Sequence, residues 1–316
     1  MTTSAEKVGE LLEEARAGRR AALARLLTLT ERGGAGARAV GEVAHRAAGG
    51  GYTVGLTGAP GAGKSTLTSA LCRVVREAGE RVGVLAIDPS SPFSGGAILG
   101  DRVRMGDHSL DDGVFIRSMA TRGHLGGLAL ATPQAIRVLD AAGLPWILVE
   151  TVGVGQVEIE VVGAADTVVV VVNPGWGDAV QANKAGLMEI ADVFVINKAD
   201  RPGTRETERD LHRMLSLSDH GGWEPPVLQT VASDGAGAAE VVDAVRAHRA
   251  HLEATGELAR RRSERTRAEL SRLASAQLAE RAKAAITVEG FDALVAAVQE
   301  RRLDPWSAVD RLLEVG

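Results

Sequence analysis

Gly58-Ala59-Pro60-Gly61-Ala62-Gly63-Lys64-Ser65 fits the spacing G-x-x-x-x-G-K-[ST], with Thr66 following. Glycines at these positions let backbone N–H groups converge on phosphate oxygens. A helix starting at the end of the loop adds its N-terminal partial charge. Lys64 is placed to reach β- and γ-phosphates, and the Ser65 hydroxyl to bind Mg²⁺. Lys64 is one of only five lysines in a chain that otherwise uses arginine, which makes chance placement harder to sustain.

A second group selects the base. Asn197-Lys198-Ala199-Asp200 follows the apolar run Val193-Phe194-Val195-Ile196. A carboxylate at Asp200 accepts from both N1–H and N2–H₂ of guanine, a donor pair that adenine lacks. Asn197 can hold guanine or the neighbouring loop, and the Lys198 stem can pack on the ring. Ala232, Ser233 and Asp234, after the next run, are candidate contacts to the base oxygen.

A third group concerns metal and hydrolysis. Trp146-Ile147-Leu148-Val149 leads into Glu150-Thr151-Val152-Gly153. An apolar strand ending in a carboxylate suits Mg²⁺, held directly or through water. The Gly153 N–H is positioned to face the γ-phosphate. Signalling GTPases mostly carry Asp where this chain has Glu150, and a water-orienting Gln where it has Val154; Gln156 lies two residues further on. Intrinsic turnover is therefore expected to be slow. Asp88 and Asp101 are further candidate Mg²⁺ ligands, in loops expected to face the phosphates, with Arg102 and Arg104 near them. The alternative for the aspartates is turn and helix capping.

These residues need a scaffold that brings loops to one edge. Runs at 52–57, 81–87, 114–118, 146–150, 167–172, 193–197 and 227–231 are short, apolar on both faces and rich in β-branched residues, as in buried parallel strands. Helical patterns at 65–78, 133–142 and 240–250 alternate with them. The expectation is an α/β fold with a doubly wound, mostly parallel sheet. Residues 1–48 read as a helical extension, broken at Gly33-Gly34-Ala35-Gly36 and ended by Gly49-Gly50-Gly51; residues 49–250 as the nucleotide-binding domain; and residues 251–316 as a helical arm. The arm's thin stripe (Leu258, Leu270, Leu273, Leu278) suits packing against a second copy of the chain or folding back on its own domain.

Composition narrows the function further. The 316 residues carry a net charge of -5, which excludes a strongly basic protein that coats nucleic acid. A single cysteine, Cys72, excludes an intramolecular disulfide framework and a cysteine-clustered zinc site; it is expected in the core. The seven histidines form no metal set by spacing and are read as solvated. The N-terminus lacks the apolar segment of a secretory signal, and no run spans a bilayer, so a cytoplasmic location is expected.

Residues 58–65, Asp88-Pro89-Ser90-Ser91, Gly100-Asp101-Arg102-Val103-Arg104-Met105, Glu150-Thr151-Val152-Gly153-Val154-Gly155-Gln156 and Asn197-Lys198-Ala199-Asp200 together resemble the bacterial MeaB-type GTPases. This group is related to the human methylmalonic aciduria type A protein and was formerly named as an arginine/ornithine (LAO) transport kinase. The resemblance implies a P-loop GTPase domain of the metallocenter-assembly class, in which Glu at position 150 is usual. It implies Mg²⁺ and GTP or GDP as ligands, with Ser65, Asp88, Asp101 and Glu150 at the metal. It implies a homodimer through the C-terminal arm and, as partner, an adenosylcobalamin-dependent acyl-CoA mutase, most often methylmalonyl-CoA mutase, whose cofactor loading is gated and which stimulates hydrolysis. Asn173-Pro174-Gly175-Trp176-Gly177-Asp178-Ala179-Val180-Gln181-Ala182-Asn183-Lys184 matches a switch of that group, in which Gln181 and Lys184 are functional and Trp176 is a partner anchor or a packing residue. Two other readings stand beside it. A P-loop kinase would prefer ATP, and Asn197 to Asp200 argue against that. A nickel-delivery GTPase usually carries a His-rich tract or paired cysteines, and this chain has neither.

Overall fold

β-Branched and aliphatic residues build the centre of the molecule. In a computed structural model that describes residues 4–88, 108, 110–120, 127–151, 163–175, 189–217, 222–285 and 288–314, seven strands form one sheet. They are β1 (Tyr52–Gly58), β2 (Val82–Asp88), β3 (Val114–Ala120), β4 (Trp146–Thr151), β5 (Thr167–Val172), β6 (Val193–Asn197) and β7 (Val227–Thr230). Their order is β3-β2-β4-β1-β5-β6-β7, and every pairing is parallel. Every residue of β1, β4, β5 and β6 is buried, because parallel strands need cover on both faces.

The covering helices are α1 (Ala5–Arg16), α2 (Arg20–Arg32), α3 (Gly34–Ala47), α4 (Lys64–Glu77), α5 (Gly127–Ala141), α6 (Thr204–Leu215) and α7 (Ala238–Ala254). On one face Leu23, Leu26 and Leu27 of α2, with residues of α1, α3 and α5, pack over Leu85, Ile87, Ile147 and Val149. On the same face α6 covers Val170, Val172 and Phe194 through Leu211 and Leu215. On the other face Leu67, Leu71 and Val75 of α4 and Val241 and Val245 of α7 pack over Val54, Leu56, Val169 and Val195. This is the doubly wound arrangement expected from the sequence. Each fully buried Leu or Val adds about 1.5–3 kcal/mol of transfer free energy, so the helices are held by their apolar stripes rather than by propensity.

Several expectations need correction. The glycine break is narrower than 33–36: Gly33 and Gly34 take positive φ, at +72° and +67°, and α3 runs from Gly34 through Ala35 and Gly36. Helix α5 begins before Pro133, at Gly127; burial of Ala131 and Thr132 holds helix upstream of the proline. Helix α6, absent from the sequence reading, has few apolar residues, but Leu211 and Leu215 fall four apart on its buried face. Two histidines are not solvated: His108 is buried against Ser69, and His248 is fully buried between α7 and the sheet. Polar neighbours offset the burial of imidazole, Ser69 at Nε2 of His108 and Thr167 at Nδ1 of His248.

The chain divides into two units, residues 1–263 and 264–316. Helix α8 (Glu257–Ala285) begins in the first unit, where Leu258 packs into the core beneath α4 and α7. The second unit continues with α9 (Val288–Gln299), which packs against α10 (Pro305–Glu314). Asp304 caps α10 by accepting from the N–H groups of Trp306 at 3.0 Å and Ser307 at 3.1 Å, with Pro305 at the first helical position. Leu270, Leu278, Phe291, Val295, Trp306 and Val309 are exposed. No helix among the described residues is long and apolar enough to cross a membrane.

Candidate functional site

Gly58 ends β1 at φ +134°, and a Cβ there would lie 2.0 Å from the carbonyl oxygen of Val171 in β5. Only glycine lets the chain turn that close to the neighbouring strand. Gly63, at φ +92°, precedes α4, and a Cβ on it would lie 2.3 Å from Asn197 Nδ2. No side chain caps α4. Its first-turn N–H groups therefore face the loop, as an anion site requires. Lys64 Nζ lies across the same loop, donating to the carbonyls of Gly58 at 2.6 Å and Ala59 at 3.2 Å. The sequence-predicted residues from Gly58 to Ser65 thus form one turn, and Thr66 continues into α4.

Parallel neighbours bring the metal candidates together. β4 lies beside β1, with Glu150 in register with Leu56. Glu150 is 1 % exposed, and its Oε1 accepts a short hydrogen bond from the Ser65 hydroxyl. A hydroxyl and a carboxylate are hard oxygen donors of the type Mg²⁺ takes. Among the described residues no three His, Cys, Asp or Glu side chains cluster as a metal cage. Asp88 is the last residue of β2, at the same edge of the sheet, although its side chain is not among the described atoms. Asp101, Gly153, Gln181 and Lys184 lie outside the described residues, as do Val154, Gln156 and Trp176.

The base side is built around Asn197, which is 2 % exposed. Its Nδ2 donates to the Ala62 carbonyl at 2.8 Å, while its Oδ1 accepts from Thr230 Oγ1 and the Ala232 N–H, both at 3.1 Å. Of its two roles open from sequence, Asn197 takes the second, tying the phosphate loop to the end of β7. Lys198 adopts φ +59° and its Nζ donates to the Gly61 carbonyl at 2.5 Å. Its stem therefore runs from the base turn to the phosphate loop. Asp200 is exposed, and among the described residues no donor occupies its carboxylate. Ala232 is buried, whereas Ser233 and Asp234 are exposed in the turn that follows, where Asp234 accepts from the Ala236 N–H at 3.0 Å.

Two threonines hold this side through hydroxyl contacts that the sequence reading does not predict. Thr230 donates to Asn197, and its carbonyl accepts from the Ala199 N–H at 3.0 Å. Thr204 Oγ1 bonds the carbonyls of Arg201 at 2.8 Å and Ala199 at 3.1 Å, fixing the turn that carries Asp200. Threonine at a strand end and just past a glycine gave no distinctive sequence signal. Cys72, buried in α4, is an inert core residue: burial first, then the charges of Glu150 and Asp111, push its thiol up to about 12.

Residues 23–287 match the family described as methylmalonyl Co-A mutase-associated GTPase MeaB. The chain belongs to the MeaB family of GTPases. A protein of Pyrococcus abyssi named as a GTPase is 50% identical over 311 residues, covering 97% of this chain and 96% of its own. The mitochondrial methylmalonic aciduria type A homolog of Mus musculus is 40% identical over 216 residues, 67% of this chain and 52% of that one. The crystal structure of a LAO/AO transport system kinase superposes with a TM-score of 0.71 at 27% identity, covering 98% of this chain and 97% of that one. For this MeaB-family chain the P-loop GTPase fold and the family are therefore fixed together.

Proposed function

We propose that this chain is a Mg²⁺-dependent GTP hydrolase that acts as chaperone and gatekeeper of an adenosylcobalamin-dependent acyl-CoA mutase, methylmalonyl-CoA mutase being the first choice. The observation that carries the nucleotide reading is Asn197, whose one amide joins the phosphate loop at Ala62 to the β7 turn at Ala232. Such a link sets a fixed distance between a triphosphate cradle and an exposed carboxylate at Asp200. In this reading Gly58 to Thr66 wrap the phosphates, Lys64 neutralises the β- and γ-phosphates, and Asp200 reads guanine N1–H and N2–H₂. Ser65 and Glu150, with Asp88 and Asp101, would hold Mg²⁺, which when bound would supply positive charge beside the phosphoryl group to be transferred. Gly153 faces the γ-phosphate, and Ala232, Ser233 and Asp234 border the base.

The partner reading rests on the family description, which names association with methylmalonyl-CoA mutase. The γ-phosphate and Mg²⁺ hold loops in one arrangement and hydrolysis releases them, the usual way a GTPase signals to a partner. Gln181 and Lys184 complete the site when the mutase docks. Residues 251–316 form the dimerisation arm of a homodimer. Lys184→Ala is expected to leave basal hydrolysis largely intact and to remove stimulation by the mutase, measured as phosphate release with and without the mutase; full stimulation of that variant would retire the switch role. The kinase and nickel-delivery readings stand second: Asp200 suits guanine, and the sequence carries neither a His-rich tract nor paired cysteines.

A further inference from the structure

The helix that opens at the phosphate loop is braced along one face by a turn that the proposed chemistry does not use. Ser65, Ser69, Cys72 and Arg76 recur at spacings of four, three and four along α4, so they share that face. Ser65 meets Glu150 at its front. At its back, Arg76 Nε donates to both carboxylate oxygens of Asp111, at 2.9 and 3.1 Å. Cys72, between them, feels the charges of both Glu150 and Asp111. The turn sits tight against the helix: a Cβ on Gly113 would lie 2.0 Å from Arg76 Cζ. It is also tied to α2, where Arg20 Nη1 donates to the Asp111 carbonyl at 3.0 Å.

His108 of this turn reaches the middle of the face. It is 6 % exposed, and its Nε2 lies 2.9 Å from Ser69 Oγ and 3.0 Å from the Ser69 carbonyl oxygen. Ser69 is buried too, and its hydroxyl has no other partner among the described residues. Alanine at 69 would serve packing alone. A serine held by an imidazole also fixes the distance and direction between turn and helix, because a hydrogen bond is directional.

The sheet beneath this face is polar as well. Ser118, Ala86 and Glu150 lie in one row across β3, β2 and β4. Alternation puts that row on the α4 face, two residues on from Ile116, Val84 and Leu148, which pack there. The Ser118 hydroxyl is buried with no hydrogen-bond partner among the described residues. Apolar burial is non-directional, so on this face the contacts of Ser65, Ser69 and Arg76 set how α4 sits over the sheet.

We propose that His108 is a positioning residue for the Mg²⁺ pair: by holding Ser69 it fixes the first two turns of α4 over β4, and with them the Ser65 hydroxyl on Glu150. The role rests on the reading of Ser65 and Glu150 as Mg²⁺ groups. His108 bonds the helix one turn beyond Ser65 and acts through it. Losing an outer contact of this kind costs about 10–100-fold in metal affinity, because the ligands lose their preset direction. One turn of separation puts His108 at the lower end of that range.

Calorimetric binding of guanosine 5′-(β,γ-imido)triphosphate to the full chain, over a series of Mg²⁺ concentrations, tests this without hydrolysis. In His108→Leu the Mg²⁺ midpoint for tightened binding is expected to rise by about tenfold, while affinity in EDTA stays within about twofold of the wild type. His108→Gln, whose amide nitrogen can stand in for Nε2, is expected to bring the midpoint back to within about threefold. Val75→Ala, a cavity at the far end of α4, is expected to lower Tm and leave the midpoint alone. An unmoved midpoint in His108→Leu, a His108→Gln no better than His108→Leu, or an equal shift in Val75→Ala would overturn the role. Should His108→Leu fail to fold, Ser69→Ala decides: it removes the hydroxyl that faces the ring and is expected to raise the midpoint by about threefold, and no change contradicts the proposal. A wild type whose affinity ignores Mg²⁺ removes the metal reading itself, and the role of His108 with it. A wild type that responds while the variants respond equally removes the role alone.

Discussion

At Asn197 both ends of one amide are engaged by the protein, one on Ala62 and the other on Thr230 and Ala232. In the proposed reading the base is left to Asp200, whose carboxylate is exposed in a turn fixed by Thr204. Two variants separate these roles. Asp200→Asn is expected to weaken GTP more than xanthosine triphosphate in calorimetric titration, because xanthine offers a carbonyl where guanine offers N2–H₂; equal weakening of both would refute the role of Asp200. Lys64→Ala is expected to abolish GTP binding, and retained affinity would contradict the phosphate-loop reading. Residue-scale burial also predicts a pH response. Cys72 rises from 9.0 and Tyr52 from 10.0, each to about 12. Both bind their proton more tightly when folded, so the stability they contribute is complete below pH 9 and is lost as pH rises toward 12. Each tenfold gain in proton affinity on folding is worth about 1.4 kcal/mol. Denaturant midpoints that hold constant from pH 9 to 11 would contradict this.

Among the elements, β1 and α4 matter most, since the loop between them is shaped by contacts to β5 and β6. With the Val171 carbonyl 2.0 Å from a hypothetical Cβ, Gly58→Ala is expected to cost several kcal/mol, read as a fall in Tm, and to remove nucleotide binding. An unchanged Tm would show that the loop is not held by β5. All seven strands were legible because each is a short apolar run bounded by turn residues. The phosphate loop was legible because its spacing is set by backbone geometry. Helix α6 was not, because it buries a narrow strip, and a polar helix of that kind resembles a loop in sequence. The burial of His248 was not legible either, because its partners Thr167 and Asp192 lie 81 and 56 positions away along the chain. The pairing of Arg261 and Arg262 with Asp192 and Asp166 has the same cause: one charged stretch of α8 reads as solvated until the sheet places two buried carboxylates beneath it.

At the scale of the whole molecule, the sheet sorts functions by edge. The C-terminal ends of β1, β2, β4, β6 and β7 carry the candidate site, as expected where strand order reverses around β1 in a doubly wound sheet. The N-terminal ends of β5 and β6 carry the first turns of α8. The second unit leaves Leu270, Phe291 and Trp306 exposed, and the proposed dimer would cover such residues. Sedimentation of the full chain is expected to give twice its 32.9 kDa mass, whereas a monomer at micromolar concentration would remove the arm's assigned role. The most direct test of the account is calorimetric titration of the full chain with GTP and with ATP in the presence of Mg²⁺. The account predicts saturable binding of GTP, weakened by removing Mg²⁺, and at least about 100-fold weaker binding of ATP, since the wrong base leaves polar groups unpaired. No heat with GTP, or tighter binding of ATP, would contradict it.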